Sequence, residues 1–242
     1  MWYCYIESTL DYEYGGTMAT TKLLLAILLF VLFGATMACS SSIDSIDISG
    51  INLAELQPRL DTTLDQEGKG PYIKAVLKSH PQKAIHEDFL RLIESGEITM
   101  EHTTHPDSAI AQITPQWDDN GKMFLSLTVG NEFFELHITR LWIVLSHEWN
   151  HAKEIRDGTL YVKPFGEKET EETARLYFEG EIRAFKAQCQ FEQTIGFTFD
   201  GVACSMLIGQ GERAFRMMYA EKMLERTRWS AFSHAIFDQA SK

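Results

Sequence analysis

The chain has 242 residues and is 45% hydrophobic, which is enough for one medium-sized domain with a sizeable core. Its formal net charge is −12, because 34 acidic residues outnumber 22 basic ones. A nucleic-acid-binding protein needs Lys and Arg against the phosphate backbone, so this charge argues against nucleic acid as a partner.

The N-terminal segment has the pattern of a targeting leader and not of a folded element. Lys22 precedes eleven uninterrupted apolar residues, Leu23 to Phe33, and small residues then lead to Cys39. This pattern resembles a bacterial lipoprotein signal, in which the cysteine is lipidated and becomes the new N-terminus. The resemblance implies a leader over residues 1–38 and an exported protein held at a membrane of the cell envelope. A plain cleaved signal and an uncleaved helical anchor are the alternatives.

The segment after the leader predicts a flexible tether. Residues 39–70 are rich in Ser, Asp and Gly and show little sustained periodicity, although residues 51–60 have some helical character. Such a tether would hold a folded domain away from a membrane surface.

Two cysteines remain for the folded part of the chain if Cys39 carries lipid and Cys4 is removed with the leader. Cys189 and Cys204 are fifteen residues apart. In an oxidising compartment they can form one disulfide, and two buried thiols are the alternative.

Helical and strand patterns alternate along the rest of the chain. Apolar residues recur at spacings of three and four over residues 71–96, 168–191, 209–226 and 229–240, which predicts helices there. Residues 110–114 and 123–129 are β-rich and flank Asn120-Gly121, the strongest short signal for a hairpin.

The sequence His147-Glu148-Trp149-Asn150-His151 lies in a further predicted helix that ends near Gly158. Side chains four residues apart lie on the same face of a helix, so His147 and His151 can bind one metal ion. Zinc accepts imidazole nitrogens and keeps a coordination position open for water at catalytic sites. Glu148 is then placed to act as the general base, as in other proteins with the pattern His-Glu-x-x-His.

The third metal ligand is expected on the helix predicted over residues 168–191. Its candidate glutamates are Glu171, Glu172, Glu179 and Glu181. Residues 178–185 resemble the third-ligand helix of gluzincins such as the integral-membrane CAAX proteases, although Ile182 and Arg183 stand where that family has Ala and Asp. The resemblance implies Glu179 as the ligand. The helical wheel favours Glu181, which lies nearer the centre of the apolar stripe, so this alternative stays open.

These patterns predict a mostly helical α+β fold over residues 71–242 with a small antiparallel hairpin or sheet before the active-site helix, and the resemblance of the motif implies a zincin-like domain. In zincins a strand edge before that helix binds extended substrate, so the resemblance implies this role for the hairpin, and a purely structural hairpin is the alternative. The predicted activity is that of a zinc-dependent hydrolase, in particular a metallopeptidase with a peptide or protein substrate. Its zinc ligands would be His147, His151 and Glu179, with Glu148 as the general base. Tyr161, Tyr177 and Arg183 are candidates for stabilising the oxyanion.

Two other classes of function fit the same residues. One is a non-catalytic, zincin-like binding lipoprotein with a structural metal site. Glu148 argues against it, because structural zinc does not need a base. The other is a metal-dependent amidase that acts on cell-envelope material, which the sequence does not separate from a peptidase.

Overall fold

The computed structural model describes residues 46, 48–105, 109–160, 168–196, 202–226 and 228–242. The predicted leader over residues 1–38, Cys39 and Tyr161 lie outside these ranges. Among the residues that are described, no helix combines the length and the apolar character needed to cross a membrane.

The described part of the chain is helical with one small sheet, which confirms the α+β class. The helices are α1 (Leu53–Glu67), α2 (Lys69–Lys78), α3 (Leu90–Glu94), α4 (Ile138–Arg156), α5 (Glu171–Thr194), α6 (Val202–Gly209), α7 (Glu212–Arg226) and α8 (Ser233–Ala240). Shorter helical segments are a π-helix (Ala84–Phe89) and two 3-10 helices (Asn131–Glu135 and Arg228–Phe232). The strands are β1 (Ile98–His102), β2 (Ala111–Trp117) and β3 (Met123–Val129).

The sheet contains the predicted hairpin and one strand that was not predicted. β2 and β3 pair antiparallel, with Ile113 opposite Leu127. The Asp118 side chain accepts hydrogen bonds from the main-chain N–H groups of Asn120 and Lys122, which stabilises the turn between them. β1 pairs with β3 in parallel, so the strand order is β1-β3-β2 and β2 is an outer strand of the described sheet.

Residues 71–96 are helical as predicted, but the helix is interrupted. α2 ends at Lys78, and the π-helical segment begins only at Ala84. Pro81 lies in the break, where it has no main-chain N–H to continue a helical ladder. Gly96 ends α3 with a φ of 78°, a conformation that glycine adopts without steric cost.

The predicted tether over residues 39–70 is wrong where it includes α1. Leu56 and Leu60 of this helix are buried and belong to the main hydrophobic core. Their four-residue spacing forms a short apolar stripe, and burying that stripe against the domain offsets the entropy that a flexible linker would retain.

The described core consists of two apolar clusters. The first is built from α1 to α4, the sheet and the C-terminal end of α5, and it includes Trp142 and Leu145 on one face of α4. The second lies among α5, α7 and α8 and includes Phe178, Ile182 and Phe215. α4 and α5 pack directly against each other, so side chains of the two helices meet between the clusters.

Both long helices have defined ends. The His137 side chain accepts a hydrogen bond from the main-chain N–H of Thr139 at the start of α4. Thr170 and Thr173 form a reciprocal capping box at the start of α5. A disulfide between Cys189 and Cys204 joins α5 to α6, which decides the pairing that the sequence left open.

Candidate metal centre

α4 places the two histidines of the motif side by side. His147 and His151 are one helical turn apart, and their Nε2 atoms lie 3.1 Å from each other. Both side chains are buried, with exposures of 1% for His147 and 7% for His151. Buried imidazoles need hydrogen-bond or metal partners for their ring nitrogens, so the groups around His147 and His151 determine whether the pair can bind a metal ion.

Glu181 of α5 completes a cluster with these histidines. Its Oε2 lies 3.6 Å from His147 Nε2, and its Oε1 lies 3.3 Å from His151 Nε2. The carboxylate is itself 7% exposed. One ligand atom from each of the three residues lies within 4.8 Å of the other two, so the group could hold a metal ion.

Glu179, the ligand expected from the family resemblance, is not brought to the histidines. Its Oε2 lies 2.9 Å from Nη2 of Arg216, and its Oε1 accepts a hydrogen bond of 2.8 Å from Gln239. Residues two apart on a helix differ by about 200° around the axis, so Glu179 and Glu181 face different neighbours. The structure therefore places Glu181, the open alternative, beside His147 and His151.

The two glutamates at the start of α5 also lie elsewhere. Glu171 forms an ion pair of 3.0 Å with Arg175, one turn along the same helix. Glu171 and Glu172 are both exposed. They are thus in the first turn of α5, where negative charge stabilises the helix N-terminus.

Gln188 and Glu192 fix the orientation of one imidazole. His147 Nδ1 donates to Gln188 Oε1 at 3.1 Å, and Gln188 Nε2 donates to Glu192 Oε1 at 3.0 Å. The second bond defines which end of the Gln188 amide faces the histidine. Because Nδ1 is the donor, Nε2 of His147 faces the cluster as the nitrogen available to a metal.

The charges in the cluster are strongly coupled. Burial lowers the pKa of His151. The carboxylates around it, chiefly Glu181, raise that pKa by more than burial lowers it, so the net result is a pKa of about 9. Burial raises the pKa of Glu181, and the two histidines lower it more, well below its usual range. Without a metal, a proton on His151 therefore balances Glu181, and a bound cation would take the place of that proton.

Glu148 lies next to this cluster on α4 but contacts a different element. Its Oε2 accepts a hydrogen bond of 2.7 Å from the main-chain N–H of Ile113 in β2. The side chain is 2% exposed, and burial raises its pKa although His147 and His151 oppose the shift. Glu148 is thus held beside the cluster without belonging to the group of three ligand candidates.

No protein-family model, no curated protein and no solved structure matches this chain. The positions of His147, His151 and Glu181, with Glu148 beside them, are what point to a metal centre.

Two of the residues proposed for oxyanion stabilisation, Arg183 and Tyr177, have contacts outside the group of three ligand candidates. Arg183 forms a two-point ion pair with Glu154, with Nε–Oε1 at 2.6 Å and Nη2–Oε2 at 2.9 Å. Tyr177 is partly buried against the second apolar cluster.

Tyr219 was not expected from the sequence. Its Oη donates to Glu181 Oε2 at 2.8 Å. It lies on a different helix, 38 residues after Glu181, and no local spacing points to it.

Proposed function

We propose that the chain is a zinc-dependent hydrolase of zincin-like design that cleaves peptide bonds. The observation that carries the proposal is the buried convergence of His147, His151 and Glu181 beside a fourth acidic side chain, Glu148. Two imidazoles and one carboxylate are the ligand set of several catalytic zinc sites, which keep a fourth position open.

The distances in the cluster support zinc as the metal. Bonds of about 2.0–2.1 Å in a tetrahedral site place neighbouring ligand atoms about 3.3 Å apart. Here the Nε2 atoms of His147 and His151 lie 3.1 Å apart, and Oε1 of Glu181 lies 3.3 Å from His151 Nε2. Both separations match such a site, and one ligand atom from each of the three residues lies within 4.8 Å of the other two. The mixed nitrogen and oxygen set also fits zinc better than magnesium or calcium, which prefer oxygen ligands.

In this proposal zinc supplies Lewis-acid chemistry, polarising the scissile carbonyl and making water more acidic. Glu148 accepts the proton of the attacking water and returns it to the nitrogen of the leaving amine. The Ile113 N–H holds Oε2 of Glu148, so we assign the proton to Oε1. Burial disfavours the charged carboxylate, which makes it a better proton acceptor than an exposed one.

The position of β2 supports a peptide as the substrate. β2 is an outer strand of the described sheet, and its residue Ile113 contacts the proposed base directly. A substrate in extended conformation can pair with main-chain groups of such an edge other than the Ile113 N–H, which Glu148 already accepts. This arrangement would bring a scissile peptide bond close to Glu148, which favours a peptidase over an amidase acting on other material.

The proposal is tested by metal analysis of the purified protein together with a peptide-library cleavage assay. We expect about one zinc per chain, cleavage of some library members, and loss of cleavage after treatment with a chelator. A protein that binds zinc but cleaves only cell-wall amides would favour the amidase. A protein that binds zinc and cleaves neither would favour a binding function, and absence of zinc would contradict the metal site itself.

A further inference from the structure

The phenol of Tyr219 contacts one of the proposed metal ligands. Tyr219 Oη donates a hydrogen bond of 2.8 Å to Oε2 of Glu181, the oxygen that lies 3.6 Å from His147 Nε2. We propose that Tyr219 is a positioning residue, which holds the Glu181 carboxylate in the orientation that metal binding requires. The inference rests on the zinc site proposed above and assigns a role to α7, which contributes no ligand.

Aromatic packing holds the ring of Tyr219 in place. Its centroid lies 5.2 Å from that of Phe185 and 6.0 Å from that of Phe215. Phe185 also forms a T-shaped pair with His147, at 4.6 Å between centroids. The ring is therefore fixed by contacts that do not need the hydroxyl group, and phenylalanine can occupy the same position.

The same face of α7 is anchored to α5 one turn earlier. Arg216 precedes Tyr219 by three residues and forms the two-point ion pair with Glu179. Glu179 and Glu181, two residues apart on α5, thus both contact α7. In this arrangement the ion pair of Glu179 with Arg216 is one contact between the helices, and the hydrogen bond of Glu181 with Tyr219 is a separate one.

The hydrogen bond has a clear physical purpose. A glutamate side chain has several rotatable bonds, and ordering it for a metal costs entropy. The Tyr219 bond to Oε2 pre-orders the carboxylate while Oε1 stays near His151 Nε2, at 3.3 Å. Residues that orient metal ligands in this way typically contribute about 10- to 100-fold to metal affinity.

Tyr219→Phe tests the inference, and Tyr72→Phe is the matched control. Tyr72 is buried, whereas Tyr219 is partly buried, and the Oη of Tyr72 has no hydrogen-bond partner among the described residues. Its ring packs against Phe133 in the first cluster. Wild type and both variants are purified as the full chain, stripped of metal, checked for folding by circular dichroism and titrated with zinc against a chromophoric chelator. We expect Tyr219→Phe to bind zinc about 10- to 100-fold more weakly and Tyr72→Phe to bind it like wild type.

Activity at saturating zinc distinguishes positioning from catalysis. Once zinc is bound, Tyr219→Phe should recover most of the wild-type kcat, because its defect is in holding the ligand. A kcat that stays about a hundredfold low with zinc bound would overturn the proposal and make Tyr219 a catalytic residue. Equal zinc affinity in Tyr219→Phe and wild type would also overturn it while leaving the zinc site intact. A wild type that binds no zinc would contradict both the proposed function and this inference.

Discussion

The main-chain N–H of Ile113 donates a 2.7 Å hydrogen bond to Oε2 of Glu148. This bond joins the outer strand of the sheet to the helix that carries the proposed metal ligands. Because the donor is a main-chain group, substitution of the Ile113 side chain does not remove it, and only proline would. The orientation of Glu148 is thus determined by the fold itself.

Replacing Glu148 with glutamine should separate metal binding from proton transfer. The amide oxygen of Glu148→Gln can still accept the Ile113 N–H, so the fold and the zinc affinity should be close to wild type. The variant cannot take a proton from water, so kcat should fall at least about a hundredfold. Zinc content and turnover of the best library peptide measure the two effects. Wild-type turnover by the variant would show that Glu148 is not the base.

Two matched substitutions on α5 should identify the third ligand. Glu181→Gln removes a charged ligand beside the histidines. It should weaken zinc binding by more than about 100-fold, which is the largest effect typical of a residue that only orients a ligand. Glu179→Gln keeps zinc, since that side chain contacts Arg216 and Gln239. It loses part of an ion pair that is only partly exposed, so its free energy of unfolding should fall by about 1–2 kcal/mol.

Zinc titration and chemical denaturation of the same two proteins give both quantities, with circular dichroism to confirm that each variant is folded. If Glu179→Gln lost zinc and Glu181→Gln kept it, the ligand suggested by the family resemblance would be right.

The sequence predicted those parts of the site that depend on one helix. The four-residue spacing of His147 and His151 fixes their common face, whatever packs against it. Which glutamate reaches the histidines depends on how α5 is rotated against α4. Glu179 and Glu181 are two residues apart and point in nearly opposite directions, so the rotation decides between them. The helical wheel pointed to the glutamate that the structure places beside the histidines, because Glu181 lies close to the buried stripe of Phe178, Ile182 and Phe185.

The errors and omissions in the predicted fold also come from contacts between elements that are separate in the sequence. The β2–β3 hairpin was predicted because its turn and both strands are adjacent in sequence. β1 was missed because its partner, β3, is separate in sequence and the pairing is parallel. Tyr219 was missed because only the docking of α7 brings it to Glu181.

Stability should decrease as the pH falls below 6.5, and His80 should contribute to this. Its Nε2 donates to the main-chain oxygen of Trp142, its Nδ1 accepts from the N–H of Gln82, and it is 2% exposed. Burial lowers its pKa from 6.5 to about 3. Between these values the unfolded chain binds a proton that the folded protein does not, so acid favours unfolding.

The experiment compares wild type with His80→Gln by denaturation from pH 7 to pH 5 in the presence of a chelator. From pH 7 to pH 5 the ring of His151 stays protonated in the folded protein, because its pKa is raised to about 9. Its contribution to the free energy of unfolding is lost only at higher pH, as the pH rises through that value. The variant should be less stable at pH 7 but show a shallower decline towards pH 5. Parallel declines in the two proteins would assign the pH dependence to other groups.

Attachment to a membrane should depend on Cys39. The apolar run that ends in small residues before this cysteine resembles a lipoprotein signal, so we propose an exported protein anchored by lipid. Cys39→Ser should move the protein from the membrane fraction to the soluble fraction of a bacterial expression host. Retention in the membrane fraction would indicate an uncleaved helical anchor instead.

The disulfide between Cys189 and Cys204 changes what a single proteolytic cut can do to this protein. Cleavage of any one peptide bond between these residues would leave two polypeptides joined covalently. Glu181 on the N-terminal piece and Tyr219 on the C-terminal piece would therefore stay in one molecule. Such a nicked protein would run as an intact chain on a non-reducing gel and as two bands after reduction, and a sample that looks homogeneous without reductant could already be cut.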